Sequence, residues 1–167
     1  SELQRFVEAI GKAGNSSQSW RALQELAQTA IGSRLFTVMT VDMNAGLARR
    51  AHSSHPTEYP VSGTKPIHRD SWFDIVHGQK RSFVANTIED IAAVFPDHEL
   101  NASLGCGSVL NLPIVMNSDL VATVNMLDAA HHFTPQRVAT AESLLAMPAR
   151  LSWTAAALFD SQSKKAE

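Results

Sequence analysis

The chain holds a single cysteine, Cys106, in 167 residues. One thiol excludes an internal disulfide framework and any zinc site built on several thiolates. It also leaves no second thiol to resolve a sulfenic acid formed on Cys106. Long apolar runs are missing: none approaches the roughly 20 residues that cross a bilayer. The first residues lack the basic-then-apolar pattern of a signal peptide. Charge of one sign is scarce, since 14 Lys and Arg against 16 Asp and Glu leave a net charge of −2. That is too weak a positive field for a general nucleic-acid or anionic-membrane surface. There is no Gly-rich phosphate loop, no dinucleotide fingerprint and no helical His-Glu-x-x-His pair.

What is present is ordinary globular material, 44% hydrophobic and 18% charged. A chain of this length can bury roughly 70% of its unfolded surface without a staple. The composition predicts one cytoplasmic domain over residues 1–167. No membrane or nucleic-acid partner is expected.

Leu3, Phe6, Val7 and Ile10 fall at the i, i+3, i+4, i+7 spacing of one helical face, and Trp20, Leu23, Leu26, Ala27 and Ile31 repeat it. The period then shortens. Leu35 to Val41 reads as a buried strand, Asp42 to Gly46 as a turn, and Leu47 to Ser54 as a more polar return strand. Pro56, Pro60, Gly63 and Pro66 predict a loop. Asp70 and Thr87 can cap two short helices, with a short strand over Arg81 to Val84 between them. Ser108 to Val115 and Leu120 to Leu127 give the clearest β signal, flanking the turn Asn117-Ser118-Asp119. Pro113 then calls for an edge or a bulge. Thr134 and Pro135 open a last helix, which Pro148 should kink and from which Ser161 to Glu167 should fray. The order is helix, helix, hairpin, loop with short helices, hairpin, long helix. It predicts an α+β domain whose antiparallel sheet has terminal helices on one face and short helices on the other.

Several residues are candidates for chemistry. A three-residue turn at Asn117 would set Asn111 opposite Asn125, and a two-residue turn would put them out of register. Such amides in apolar strands bind each other, a water or a ligand. Tyr59, Trp72, Phe73 and Phe95 sit in the covering segment, as cavity walls or as a second small core. His52, Ser54 and Ser108 could be polar contacts. Cys106 either lines a pocket or is a small buried hydrophobe. Seven histidines show no metal-ligand spacing, so no metal or cofactor is expected.

Ser108–Val115, Val121–Leu127 and Phe133-Thr134-Pro135-Gln136, together with the strand Leu35–Asp42, resemble the GAF domain family over about residues 18–158. Residues 1–14 then form a helical extension, and 159–167 a flexible tail. Where many members carry Ile-Gly, this chain has Val121-Ala122. The resemblance implies a non-covalent small-molecule sensor or regulatory module without catalytic activity, dimerising through its terminal helices. Its ligand-contacting residues would be His52, Tyr59, Trp72, Phe73, Phe95, Cys106, Ser108, Asn111 and Asn125. Bilin-binding members attach pigment through Cys followed by His, whereas Gly107 follows Cys106. The cyclic-nucleotide signature survives only as Phe95, Asp97 and Glu99. The alternatives are a single-thiol redox enzyme or hydrolase using Cys106, and a ligand-free dimerisation module.

Overall fold

The computed structural model describes residues 1–166. Helix α1 (Glu2–Lys12) starts on a capping box, in which the Ser1 hydroxyl accepts from the Gln4 N–H and the Gln4 side chain reaches back to the Ser1 nitrogen. Asn15 caps α2 (Ser16–Ala30). Then come β1 (Leu35–Asp42), β2 (Leu47–Ser53), β3 (Thr64–Pro66) and α3 (Ser71–Phe73), which runs into a π-helical turn, Asp74–Gly78. The chain continues through β4 (Phe83–Ala85), α4 (Ile88–Ala92), α5 (His98–Ser103), β5 (Ser108–Met116), β6 (Asp119–Asp128) and α6 (Pro135–Ala166). Every strand pairing is antiparallel, in the order β3-β2-β1-β6-β5-β4. The architecture is the expected α+β one.

Alternation of side chains gives each strand two faces. Phe36, Val38, Leu110, Leu112, Val124 and Met126 point to the terminal helices and close the main core with Trp20, Leu23 and Leu145. Helix α1 seats Phe6 in the same core. On the opposite face Leu35, Val109 and Leu127 meet Tyr59, Ile91 and Cys106 in a smaller cluster. The segment between β2 and β5 covers that face.

The strongest β segment departs from the expected turn and keeps the expected pairing. The turn has two residues, Asn117 and Ser118, with φ of +53° and +65°. Both central residues at positive φ suit the right-handed twist of a tight hairpin. A bulge then adds one residue on β6, because Ile114 pairs with Ala122 while Val115 pairs with Leu120. The two one-residue shifts cancel, and Asn111 lies opposite Asn125. At Pro113 β5 is an edge, since β4 covers only Val109 to Asn111.

Three other expectations are corrected. The loop over Pro56 to Pro66 contains β3, which pairs with β2 although Pro66 ends it. Beyond Pro96 the cover adds α5, which the proline hides by stopping the preceding helix. Helix α6 passes through Pro148 and takes in Ser161–Ala166, where fraying was expected. Lys164 and Lys165 in its last turn complement the helix dipole. Glu167 lies outside the described residues.

Candidate functional site

Between the sheet and its cover lies a cavity of about 390 Å³, within the size range of small-molecule sites. Strands β1, β5 and β6 form its floor. Its roof is aromatic. Trp72 meets Phe95 edge to face at 6.4 Å between centroids, and Phe95 meets Phe83 at 6.0 Å. The π-helical turn widens the backbone, with the Gln79 N–H reaching back to the Asp74 carbonyl at 2.9 Å. That turn stacks His77 on Phe73 at 4.4 Å and sets it against Trp72 at 5.7 Å. Burial holds His77 below the usual histidine range, and Arg69 adds to the effect.

One polar row crosses the floor. The Trp72 indole N–H donates to Asn111 Oδ1 at 3.0 Å, Asn111 Nδ2 donates to Asn125 Oδ1 at 2.7 Å, and Asn125 Nδ2 donates to Thr37 Oγ1 at 3.3 Å. The register explains this row, because Thr37 lies opposite Asn125 and Asn125 opposite Asn111. Both asparagines are buried. Each amide nitrogen carries two hydrogens and spends one in the row. The row therefore presents surplus donors to the cavity. Asn111→Leu removes the middle member and strands the Trp72 N–H and Asn125 Oδ1. It should lower stability by about 1–3 kcal/mol for the unpaired groups, measured by urea unfolding. A loss under about 0.5 kcal/mol, the size of an ordinary surface change, would show the row to be slack.

The other end of the cavity is charged. Lys65 on β3 pairs with Asp97, between α4 and α5, at 2.9 Å. Arg50 on β2 lies over the Tyr59 ring at 5.3 Å and donates to the Pro60 carbonyl at 3.3 Å. Its pKa is lowered by burial, against an opposing effect of Asp97. The buried Tyr59 hydroxyl donates to Asn101 Oδ1 on α5. Burial first, and Asp97 second, push the Tyr59 hydroxyl up.

Of the nine residues expected at the site, Tyr59, Trp72, Phe95, Asn111 and Asn125 line this cavity. Phe73 turns away from it, between His77 and the Arg69 guanidinium, which lies 5.0 Å from its ring. The Ser108 hydroxyl is spent on the carbonyls of Asp128 and Ala129. Ser54 is spent too, its hydroxyl accepting from the Phe36 N–H at 2.9 Å. Cys106 is buried in the small cluster, and burial pushes its thiol up to about 11.

His52 stands on the other face of the sheet. It opposes Val38 while Arg50 opposes Met39, so Ala51 is an extra residue in β2. Without that bulge residues 48, 50 and 52 would share a face. With it, Arg50 faces the cavity and His52 hydrogen-bonds Gln24 on α2 at 2.7 Å. Arg50, Thr37, Lys65 and Asn101 are the site residues that sequence reasoning missed. No glycine or proline marks the bulge that places the first.

Solved structures share this fold. The GAF domain of a phosphoenolpyruvate-protein phosphotransferase from Coxiella burnetii aligns over 99% of this chain and 95% of its own, with a TM-score of 0.66 and 15% identity. The corresponding GAF domain from Acinetobacter aligns over 94% of each chain, with a TM-score of 0.70 and 12% identity. The GAF domain of a two-component sensor histidine kinase from Bacillus halodurans aligns over 89% of this chain and 96% of its own, at 0.62 and 12%. No protein-family model and no curated protein matches the sequence. The fold is that of a GAF domain.

Proposed function

With the GAF-domain fold as premise, we propose that the chain is a non-covalent small-molecule sensor, a regulatory module without catalysis of its own, working as a homodimer. The cavity carries this proposal. Interiors are normally packed with few voids larger than a water, yet here about 390 Å³ stays open beneath Trp72 and Phe95. Aromatic walls and unspent amide donors are what a guest of modest polarity needs. The structural likeness to a domain of a sensor histidine kinase supports a sensing role.

A ligand would draw the cover, residues 56–101, onto the sheet, and the terminal helices would shift in response. Strand β2 offers the link, because Arg50 faces the cavity and His52 two residues on holds Gln24 of α2. A thiol enzyme finds no support in a buried Cys106 whose pKa lies near 11. Among the described residues no helix is long and apolar enough to cross a membrane.

A bound small molecule should raise the melting temperature. At a hundredfold excess over Kd the gain is about 2.7 kcal/mol, or roughly 5–10 °C for a domain of this size. Scanning fluorimetry against a metabolite collection reads it directly. The idea fails if no compound shifts the midpoint, or if Trp72→Ala shifts equally with every one that does.

The dimer is proposed on α6. Leu144, Met147, Leu151 and Leu158 follow 3-4-7 spacing, and Met147, Leu151 and Leu158 are exposed. Such a stripe is the seam of a two-stranded coiled coil. The chain of 18.1 kDa should sediment at twice that mass, and Met147→Glu with Leu158→Glu should return it to the monomer. A monomeric native protein would remove the dimer and leave the sensing role standing.

A further inference from the structure

The two ends of the cavity have unspent bonding capacity of different kinds. At one end is Arg50, whose Nε is buried without a partner and whose Nη1 has only the Pro60 carbonyl at 3.3 Å. Among the described residues Arg50 forms no ion pair. Asp97, the acid that acts on it, is already held by Lys65 at 2.9 Å. The other lining carboxylate, Asp70, accepts from the Phe73 N–H as the cap of α3. A guanidinium on the cavity wall with no ion pair matches a carboxylate, through charge-assisted N–H···O bonds.

The polar row at the far end is uncharged. The row Trp72–Asn111–Asn125–Thr37 is directional, each member donating to the next. Each of its acceptor oxygens already receives one hydrogen bond, and on the donor side there remain one N–H on each amide and the Thr37 hydroxyl hydrogen. That end offers donors and so takes an acceptor. Met39, Trp72 and Phe95 also line the cavity, walls suited to a flat apolar body.

The register sets the length of the guest. Arg50 pairs with Met39 and Asn125 with Thr37, so they lie two residues apart along the sheet and two strands apart across it. Strand spacing of about 4.8 Å and a rise of about 3.4 Å per residue put their Cα atoms roughly 12 Å apart. Both side chains rise from the cavity face of the sheet. A span of that length matches one aromatic ring with polar groups at opposite ends and a hydrogen bond to each.

We infer that the cavity takes a small aryl monocarboxylate, its carboxylate on Arg50 and a hydrogen-bond acceptor at the far end of the ring on the Asn111–Asn125 row. This rests on the sensing role proposed above and names its ligand class.

The test compares 4-hydroxybenzoate with its neutral amide, 4-hydroxybenzamide, by titration calorimetry on the whole chain, with the ¹⁵N-indole spectrum as a second readout. The acid should bind about tenfold more tightly than the amide, the size expected of a charge-assisted pair. Both should shift the Trp72 indole signal. Arg50→Met should bring the acid down to the amide's affinity and leave the amide within about twofold, whereas Arg50→Lys should retain a preference for the acid. The comparison on the native chain stands even if Arg50→Met does not fold. Equal affinity for acid and amide overturns the inference, as does an unchanged preference in Arg50→Met. Failure of both probes overturns it too. A neutral occupant found by native mass spectrometry would then leave the sensing role intact. A chain that no metabolite stabilises would lose both.

Discussion

Phe36→Ala is expected to lower the unfolding free energy by about 3–5 kcal/mol, the usual cost of emptying a phenylalanine site in a core. Small domains have about 5–15 kcal/mol in total, so this one change takes away a large share. Phe36 is on β1, a central strand, and none of it is exposed. It belongs to the cluster of Trp20, Leu23 and Leu145, so its ring joins the sheet to α2 and α6. Its edge meets His52 at 6.0 Å. Backbone and side chain on both sides hold the space open, which leaves little room for collapse. Met43 is the contrast: it is equally apolar, yet it sits exposed in the β1–β2 turn, and Met43→Ala should change stability by less than about 0.5 kcal/mol. Urea unfolding with an unchanged m-value would measure both. A Phe36→Ala loss near that of Met43→Ala would mean that the terminal helices do not rest on this face of the sheet.

That face was legible in the sequence because it obeys period. Phe36 and Val38, Leu110 and Leu112, Val124 and Met126 are alternate residues in runs rich in apolar and β-branched types, and the helices opposite repeat at helical spacing. The caps at Asp70 and Thr87 were legible for the same kind of local reason, and both accept the expected N–H. The Asn111–Asn125 pair was foreseen for the wrong reason. The expected pairing assumes a three-residue turn, and the structure reaches it through a two-residue turn and a bulge at Val121. Bulges leave no mark in composition here, and the one at Ala51 decided which side of the sheet received Arg50 and which received His52. The cover was harder still. Strand β3 is three residues long and α5 six, too short for a period to declare itself. Tyr59 finds Asn101 across 42 residues of chain, and no local pattern carries such a contact.

His52 also makes the fold sensitive to acid. Burial, with Arg21 as the second cause, lowers its pKa from 6.5 to about 4. The residue is 5% exposed, so solvent does little to soften that cost. The unfolded chain takes up the proton near pH 6.5, and the folded chain resists it until about pH 4. Between those values the unfolded state binds more protons, so stability falls as the pH falls. Above pH 6.5 the contribution is fully present, and at about 1.36 kcal/mol per pH unit its loss between pH 7 and pH 4.5 comes to about 2 kcal/mol. His52→Gln keeps a neutral partner for Gln24 and cannot titrate. Its baseline stability will differ, so the informative quantity is the drop from pH 7 to pH 4.5, which should be about 2 kcal/mol smaller than in the native chain. Carboxylates elsewhere contribute equally to both proteins and cancel. Equal drops in the two proteins would place His52 in solvent and dissolve its bond to α2. That bond is the only tie from β2 to α2 proposed here for carrying a ligand's arrival to the helices, and the same pair of titrations therefore decides whether that route exists.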